Sequence, residues 1–290
     1  MSLKSYLSLV KFSHSIFALP FALMGAWLAA GGPPELATLG LIVVAAVAAR
    51  TAAMGFNRLV DRGIDAKNPR TSEREIPAGV ITPGRAGALV GIASTVFVAA
   101  SFGLNSLCGW ISPGVLLVLL GYSFAKRFTA MVHFWLGLAL GLAPPAAWLA
   151  VRGSLDGDVS APLFLGAAVL TWVAGFDLIY SCQDAAFDRE RGLHSIPARL
   201  GVPRALLMAR VLHVATVALL GLVAWRAELS WIFMIALVLA ALLLIWEHSI
   251  VSAEDLSRVN LAFFTLNGWV GIGLFLGTVL DLWAFGPGVN

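Results

Sequence analysis

The stretch 36-LATLGLIVVAAVAARTAAMGFNRLVDRGID-65 decides how the chain is read. It opens as a long apolar run interrupted only by Arg50, then turns charged, with Asn57, Asp61 and Asp65 spaced four residues apart. A bilayer core about 30 Å thick needs roughly 20 apolar residues of helix, and 36–56 supplies them. If that helix runs on into the charged stretch, Asn57, Asp61 and Asp65 project from nearly one face, a turn apart, at the membrane surface.

Outward from this segment, further uncharged stretches of spanning length lie at 14–31, 85–104, 109–124, 129–150, 161–181, 204–224, 230–248 and 260–280. The shortest, 109–124, carries Pro113. Across 290 residues the chain is 59% hydrophobic and only 12% charged, with a mean hydropathy of +0.89. That composition excludes an ordinary water-soluble enzyme. The expected fold is all-α: one polytopic membrane domain over 1–290, with nine transmembrane helices. Lys4 and Lys11 precede the first apolar run, which ends in Ala29, Ala30 and Gly31 like a cleavable leader. Eight further spans follow with no soluble passenger between them, so 14–31 is read as a span. Cys108 and Cys182 fall at opposite ends of the membrane, which leaves no disulfide framework.

The net charge of +3 says little, but its placement says more. With alternate loops on alternate sides, nearly all Lys and Arg collect on the amino terminus and the even-numbered connections, leaving only Arg152 and Arg226 opposite. The positive-inside rule then puts the amino terminus and the charged loops in the cytoplasm, and nine spans put Asn290 outside; the expected location is the cell inner membrane. Cytoplasmic cap loops are expected at about 57–84, 124–129 and 182–203.

Two of these loops resemble each other. Asp184 and Asp188 repeat the spacing of Asp61 and Asp65, and Ile76, Pro77, Ala78 recur as Ile196, Pro197, Ala198. Asp177, Tyr180, Asp184 and Asp188 are also expected on one helical face, giving two matched acid clusters on one cavity. Magnesium binds through one or two protein carboxylates and takes other ligands from water and phosphate, so facing clusters suit a metal-bound diphosphate. The plainer alternative is that the acids pair with the loop arginines on a solvated surface. Arg70 and Arg74 in NPRTSER, Lys126 in YSFAKRF and Arg191 are candidate partners for the diphosphate charge. Arg127 and Arg199 are read as topology or interfacial anchors.

Arg50 sits inside a span, seven positions before Asn57 and on its face. A charge at that depth faces a cavity or a partner: a carboxylate-bearing substrate, or Asp177 in an interhelical ion pair. Tyr122, one turn before Lys126, and Tyr180 either line the cavity or belong to the interfacial belt. His14, His194, His213 and His248 lie near membrane boundaries and are read as structural, with no histidine metal site.

These residues resemble the UbiA superfamily of intramembrane prenyltransferases. NRLVDRGIDAKNPRTSEREIPAG (57–79) looks like the family's first aspartate motif with its loop, and DLIYSCQDAAFDRERGLHSIPARLG (177–201) like the second. The resemblance covers essentially the whole chain. It implies a bundle of nine helices around a central cavity and a Mg2+-dependent aromatic prenyltransferase in which Asn57, Asp61, Asp65, Asp184 and Asp188 would serve the metals. By the same resemblance Lys126, Arg70 and Arg74 would hold the diphosphate, Asp177 and Tyr180 would line the reacting centre, and Arg50 would meet the carboxylate of the aromatic acid. The implied partners are a polyprenyl diphosphate, an aromatic acid and membrane lipid, with no nucleic acid. FSHSIFALPFA (12–22) and GLHSIPARLG (192–201) resemble bacterial members that prenylate 1,4-dihydroxy-6-naphthoate for menaquinone. Phe187 replaces an extra acid found in some ubiquinone-type members, so the naphthoate is the expected acceptor and 4-hydroxybenzoate, for ubiquinone, the alternative. Of other classes, a transporter predicts acids within the spans rather than at one membrane face. A CDP-alcohol phosphotransferase predicts a DGxxAR run that this chain lacks.

Overall fold

The computed structural model describes residues 3–10 and 17–286. Lys11, His14 and the first residues of the span expected at 14–31 lie outside the described residues, as does Asn290. The described chain forms α1 (Leu3–Leu9), α2 (Leu19–Ala30), α3 (Leu36–Asp65), α4 (Pro83–Leu104), α5 (Ser106–Ala125), α6 (Val132–Gly141) and α7 (Ala143–Arg152). It continues through α8 (Ser160–Ser181), α9 (Ala185–Glu190), α10 (Ile196–Leu200), α11 (Val202–Arg226), α12 (Trp231–Ser249) and α13 (Asn267–Phe285). No strand occurs among the described residues.

Among the described residues eight helical segments are long and apolar enough to cross a membrane, against the nine expected. The difference is α2, whose 12 residues rise only about 18 Å at 1.5 Å each. The span expected at 129–150 is two helices, α6 and α7, meeting at Leu142 just before Pro144 and Pro145. The segment around Pro113 is one continuous helix, α5. Proline brings no amide to the Gly109 carbonyl one turn back. The Ser112 hydroxyl donates to that carbonyl instead, at 2.8 Å.

Helix α8 runs through the bundle interior, packed along α6 and α11, while α3 pairs with α4, α2 with α7 and α12 with α13. The approach of α6 to α8 depends on glycine. A Cβ on Gly137 would stand 2.4 Å from the Leu170 carbonyl oxygen, and one on Gly141 2.6 Å from that of Gly166. Small residues of this kind are what let helix backbones meet where lipid offers no hydrophobic drive. Trp172, Phe176, Phe17, Phe21 and Phe263 form an aromatic core beside α8. Large apolar side chains such as Leu117, Val214, Trp225, Ile245 and Trp269 face outward, where a bilayer would cover them.

The expected cap loops are more ordered than loops. Helix α3 carries the first acid motif through to Asp65, so Arg58 is a buried helical residue rather than a loop residue. The second motif folds as a 3-10 turn, Cys182–Asp184, then α9 and α10. That turn interrupts the continuous helical face expected for Asp177 to Asp188, and the two motifs are therefore not structural copies.

Candidate active site

Four aspartates and four basic side chains meet where α3, the 66–82 loop, the end of α5 and the α8–α9 junction converge. Arg70 crosses from the first motif to the second and forks onto Asp184: Nε donates to Oδ1 at 2.9 Å and Nη2 to Oδ2. Its Nη1 donates to the Tyr180 hydroxyl at 2.9 Å. Burial works against the charge on Arg70, but its hydrogen bonds and attraction to Asp184 outweigh this and raise its pKa above the ordinary value. Asn68 is buried and braces the same pair, donating to Asp184 Oδ1 at 3.3 Å while accepting from the Arg70 amide.

Arg74 instead turns back within its own loop to Asp65 Oδ1, at 2.6 Å. The dibasic end of α5 serves both motifs: Lys126 Nζ is 2.8 Å from Asp188 Oδ1, and Arg127 Nη2 is 2.8 Å from Asp61 Oδ1. Asn57 donates to the other Asp61 oxygen at 3.0 Å, fixing that carboxylate from within α3. Every acid of the two DxxxD pairs thus has a basic partner, which is the arrangement of the plainer alternative. Three of these pairings nevertheless join segments far apart in sequence, so they gather the motifs into one site.

Among the described residues no three His, Cys, Asp or Glu side chains form a ready-made metal cluster. The donors still fit a hard cation. They are all oxygen, they come two to a motif, and Asp65 Oδ2 and Asp188 Oδ2 are buried with no hydrogen-bond donor. A cation completed by phosphate needs no more than this from the protein.

A cavity of about 350 Å³ is lined by Ala45, Ala49, Met54, Val115, Leu119 and Leu140, with Arg50 and Tyr122 among its few polar walls; Met54 and Tyr122 stand one turn before Asn57 and Lys126 in the sequence. Asp177, the expected alternative partner of Arg50, bonds elsewhere: His133 Nδ1 is 2.6 Å from its Oδ2. Tyr180 packs its ring on Phe263, with centroids 4.3 Å apart. Arg191 remains exposed over the Phe187 ring and is not brought to the acids.

Sequence reasoning missed Asn68 and His133, and it took Arg127 for an anchor. For His133 a signal existed: His133, Gly137 and Gly141 recur every fourth residue, so the glycine face that meets α8 carries the imidazole with it.

Comparison with known proteins bears on this arrangement. The family described as the UbiA prenyltransferase family matches residues 18–269. A 4-hydroxybenzoate octaprenyltransferase of Pseudomonas aeruginosa (strain UCBPP-PA14) is 34% identical over 88% of this chain and 84% of its own. One from Serratia proteamaculans (strain 568) is 32% identical over 89% and 87%. The apo structure of a UbiA homologue from Aeropyrum pernix K1 superposes with a TM-score of 0.83 at 37% identity, covering 92% of this chain and 98% of its own. A UbiA homologue from Archaeoglobus fulgidus, solved bound to DMAPP and Mg2+, shares the fold with a TM-score of 0.73 at 21% identity, covering 95% and 99%.

Proposed function

The chain belongs to the UbiA prenyltransferase family, and from that premise we propose that this multi-pass membrane enzyme prenylates 4-hydroxybenzoate, using a polyprenyl diphosphate, in ubiquinone biosynthesis. The observation that carries the reading is the meeting of two DxxxD pairs with Arg70, Arg74, Lys126 and Arg127, beside an apolar cavity walled in part by Arg50. Relatives named for 4-hydroxybenzoate favour that acid over the dihydroxynaphthoate expected from the motifs at 12–22 and 192–201. The naphthoate stays as a second reading because Phe187 stands in the second motif.

In this reading Asp61, Asp65, Asp184 and Asp188, with Asn57 set against Asp61, hold Mg2+, which when bound offsets the charge of the diphosphate. Arg70, Arg74 and Lys126 exchange their carboxylate partners for phosphate oxygens as the substrate enters, and Arg191 turns inward to join them. Arg50 offers its planar fork to the acceptor carboxylate, while Tyr122 and Tyr180 flank the reacting carbon. The apolar walls exclude water that would hydrolyse an allylic cation. The acid-bearing face is cytoplasmic, in the cell inner membrane, with the carboxyl terminus outside, on the distribution of Lys and Arg.

The test is a prenylation assay on purified protein in detergent with Mg2+, a polyprenyl diphosphate and either 4-hydroxybenzoate or 1,4-dihydroxy-6-naphthoate. Product from the benzoate, abolished in Asp61→Ala, is expected. Product from the naphthoate alone would move the enzyme to menaquinone synthesis, and none from either would overturn the proposed aromatic-acid acceptor.

A further inference from the structure

Of the acids gathered around the site, Asp177 differs in its partner. Asp61, Asp65, Asp184 and Asp188 each face a Lys or Arg, whereas Asp177 faces an imidazole. The geometry sets the tautomer of His133. Its Nε2 accepts from the Ile196 amide at 3.3 Å, so the neutral ring carries its proton on Nδ1 and donates it to Asp177 Oδ2 at 2.6 Å. His133 is only 2% exposed, while Asp177 keeps 16% of its side chain open. One carboxylate oxygen is therefore pinned from behind. The group lies within electrostatic reach of Tyr122 on the cavity wall, and Tyr180 follows it one turn along α8.

A carboxylate fixed by a neutral donor, apart from the basic residues, is suited to taking a proton rather than to holding diphosphate. We propose that Asp177 accepts the ring proton released on prenylation and that His133 is the positioning residue that aims it, an inference that rests on the prenyltransferase reading above. In the step, the allylic carbon–oxygen bond breaks and the diphosphate leaves with the electron pair. The acceptor ring carbon bonds to the allylic carbon. The hydrogen on that ring carbon passes as a proton to Asp177, and the C–H electrons restore the aromatic ring.

The experiment compares each acid, unlabelled and deuterated at the ring position that is prenylated, in the full-length enzyme with Mg2+ and a polyprenyl diphosphate. In the wild type, proton loss follows bond formation quickly, and the isotopic rate ratio is expected near one. Asp177→Asn should lose on the order of 10²-fold in kcat, the lower end of what a positioned base supplies, and its ratio should rise well above one. His133→Ala should show a smaller loss with the same rise. His133→Gln, whose amide both accepts from Ile196 and donates to Asp177, should restore rate and ratio. A loss of rate with the ratio still at one, or no loss in either variant, overturns the dyad while leaving the prenyltransferase reading intact. Should His133→Ala fail to fold, the near-isosteric Asp177→Asn decides. A wild type that prenylates neither acid overturns the aromatic-acid reading and the dyad's role with it.

Discussion

Asp188 has a side chain that is 0% exposed, and Lys126 Nζ at 2.8 Å is the charge that makes its burial tolerable. Removing one partner of a buried pair leaves the other charge desolvated, at a cost of about 3 kcal/mol. Lys126→Met is therefore expected to lower the unfolding midpoint in detergent and to abolish prenylation. Adding Asp188→Asn should recover the stability, since nothing charged is then stranded, but not the activity. Midpoints for the two singles and the double complete the cycle, and a double no more stable than Lys126→Met would mean the pair is not coupled. The acids themselves were legible in the sequence because a carboxylate beside an apolar run is conspicuous. Their pairing was not, since it depends on the path of the 66–82 loop. Arg70 and Arg74 are four residues apart, yet one reaches Asp184 across the site and the other folds back to Asp65. Arg127 looked like an interfacial anchor for the same reason: nothing local reveals that its neighbour serves one motif and it serves the other.

The helices were read more easily than their contacts. Apolar run length located α4, α5, α8, α11 and α12 to within a few residues, because a bilayer imposes that length on any spanning helix, whereas α3 runs on to Asp65, well past the 36–56 span. It did not place the break between α6 and α7, although Pro144 and Pro145 stand in the first turn of α7, nor the 3-10 turn that follows α8 in the second motif, where no change of apolar length marks it. The glycine face of α6 is where packing against α8 is tested. A Cβ at Gly137 meets the Leu170 carbonyl at 2.4 Å, and backbone cannot yield as a flexible side chain can. Gly137→Val should push α6 away, cost about 3 kcal/mol or more and cut turnover, because His133 one turn earlier rides on the same face. Gly91→Ala is the control. Its Cβ meets nothing within 4 Å, so the change should be neutral or stabilising by up to ~1 kcal/mol from helix propensity alone. Thermal midpoints that respond alike to the two substitutions would overturn the role assigned to the α6–α8 contact.

For the whole molecule, orientation follows from two independent arguments that one labelling experiment separates. Between the 66–82 loop and the α7–α8 connection the chain crosses three times, through α4, α5 and the consecutive α6–α7 pair. An odd number of crossings puts Glu73 and Asp156 on opposite faces whatever the charges say. The excess of Lys and Arg then assigns the face with Glu73 to the cytoplasm. With Cys108 and Cys182 replaced by serine, Asp156→Cys in intact cells should react with a membrane-impermeant maleimide. Glu73→Cys should react only after permeabilisation. Exchanged reactivity would preserve the fold and invert the orientation, placing the diphosphate site away from the cytoplasm. Reaction of both from one side would mean instead that α6–α7, interrupted at Leu142 just before two prolines, dips into the bilayer and returns. The 129–150 segment would then not be a span, and the count that places the carboxyl terminus would change with it.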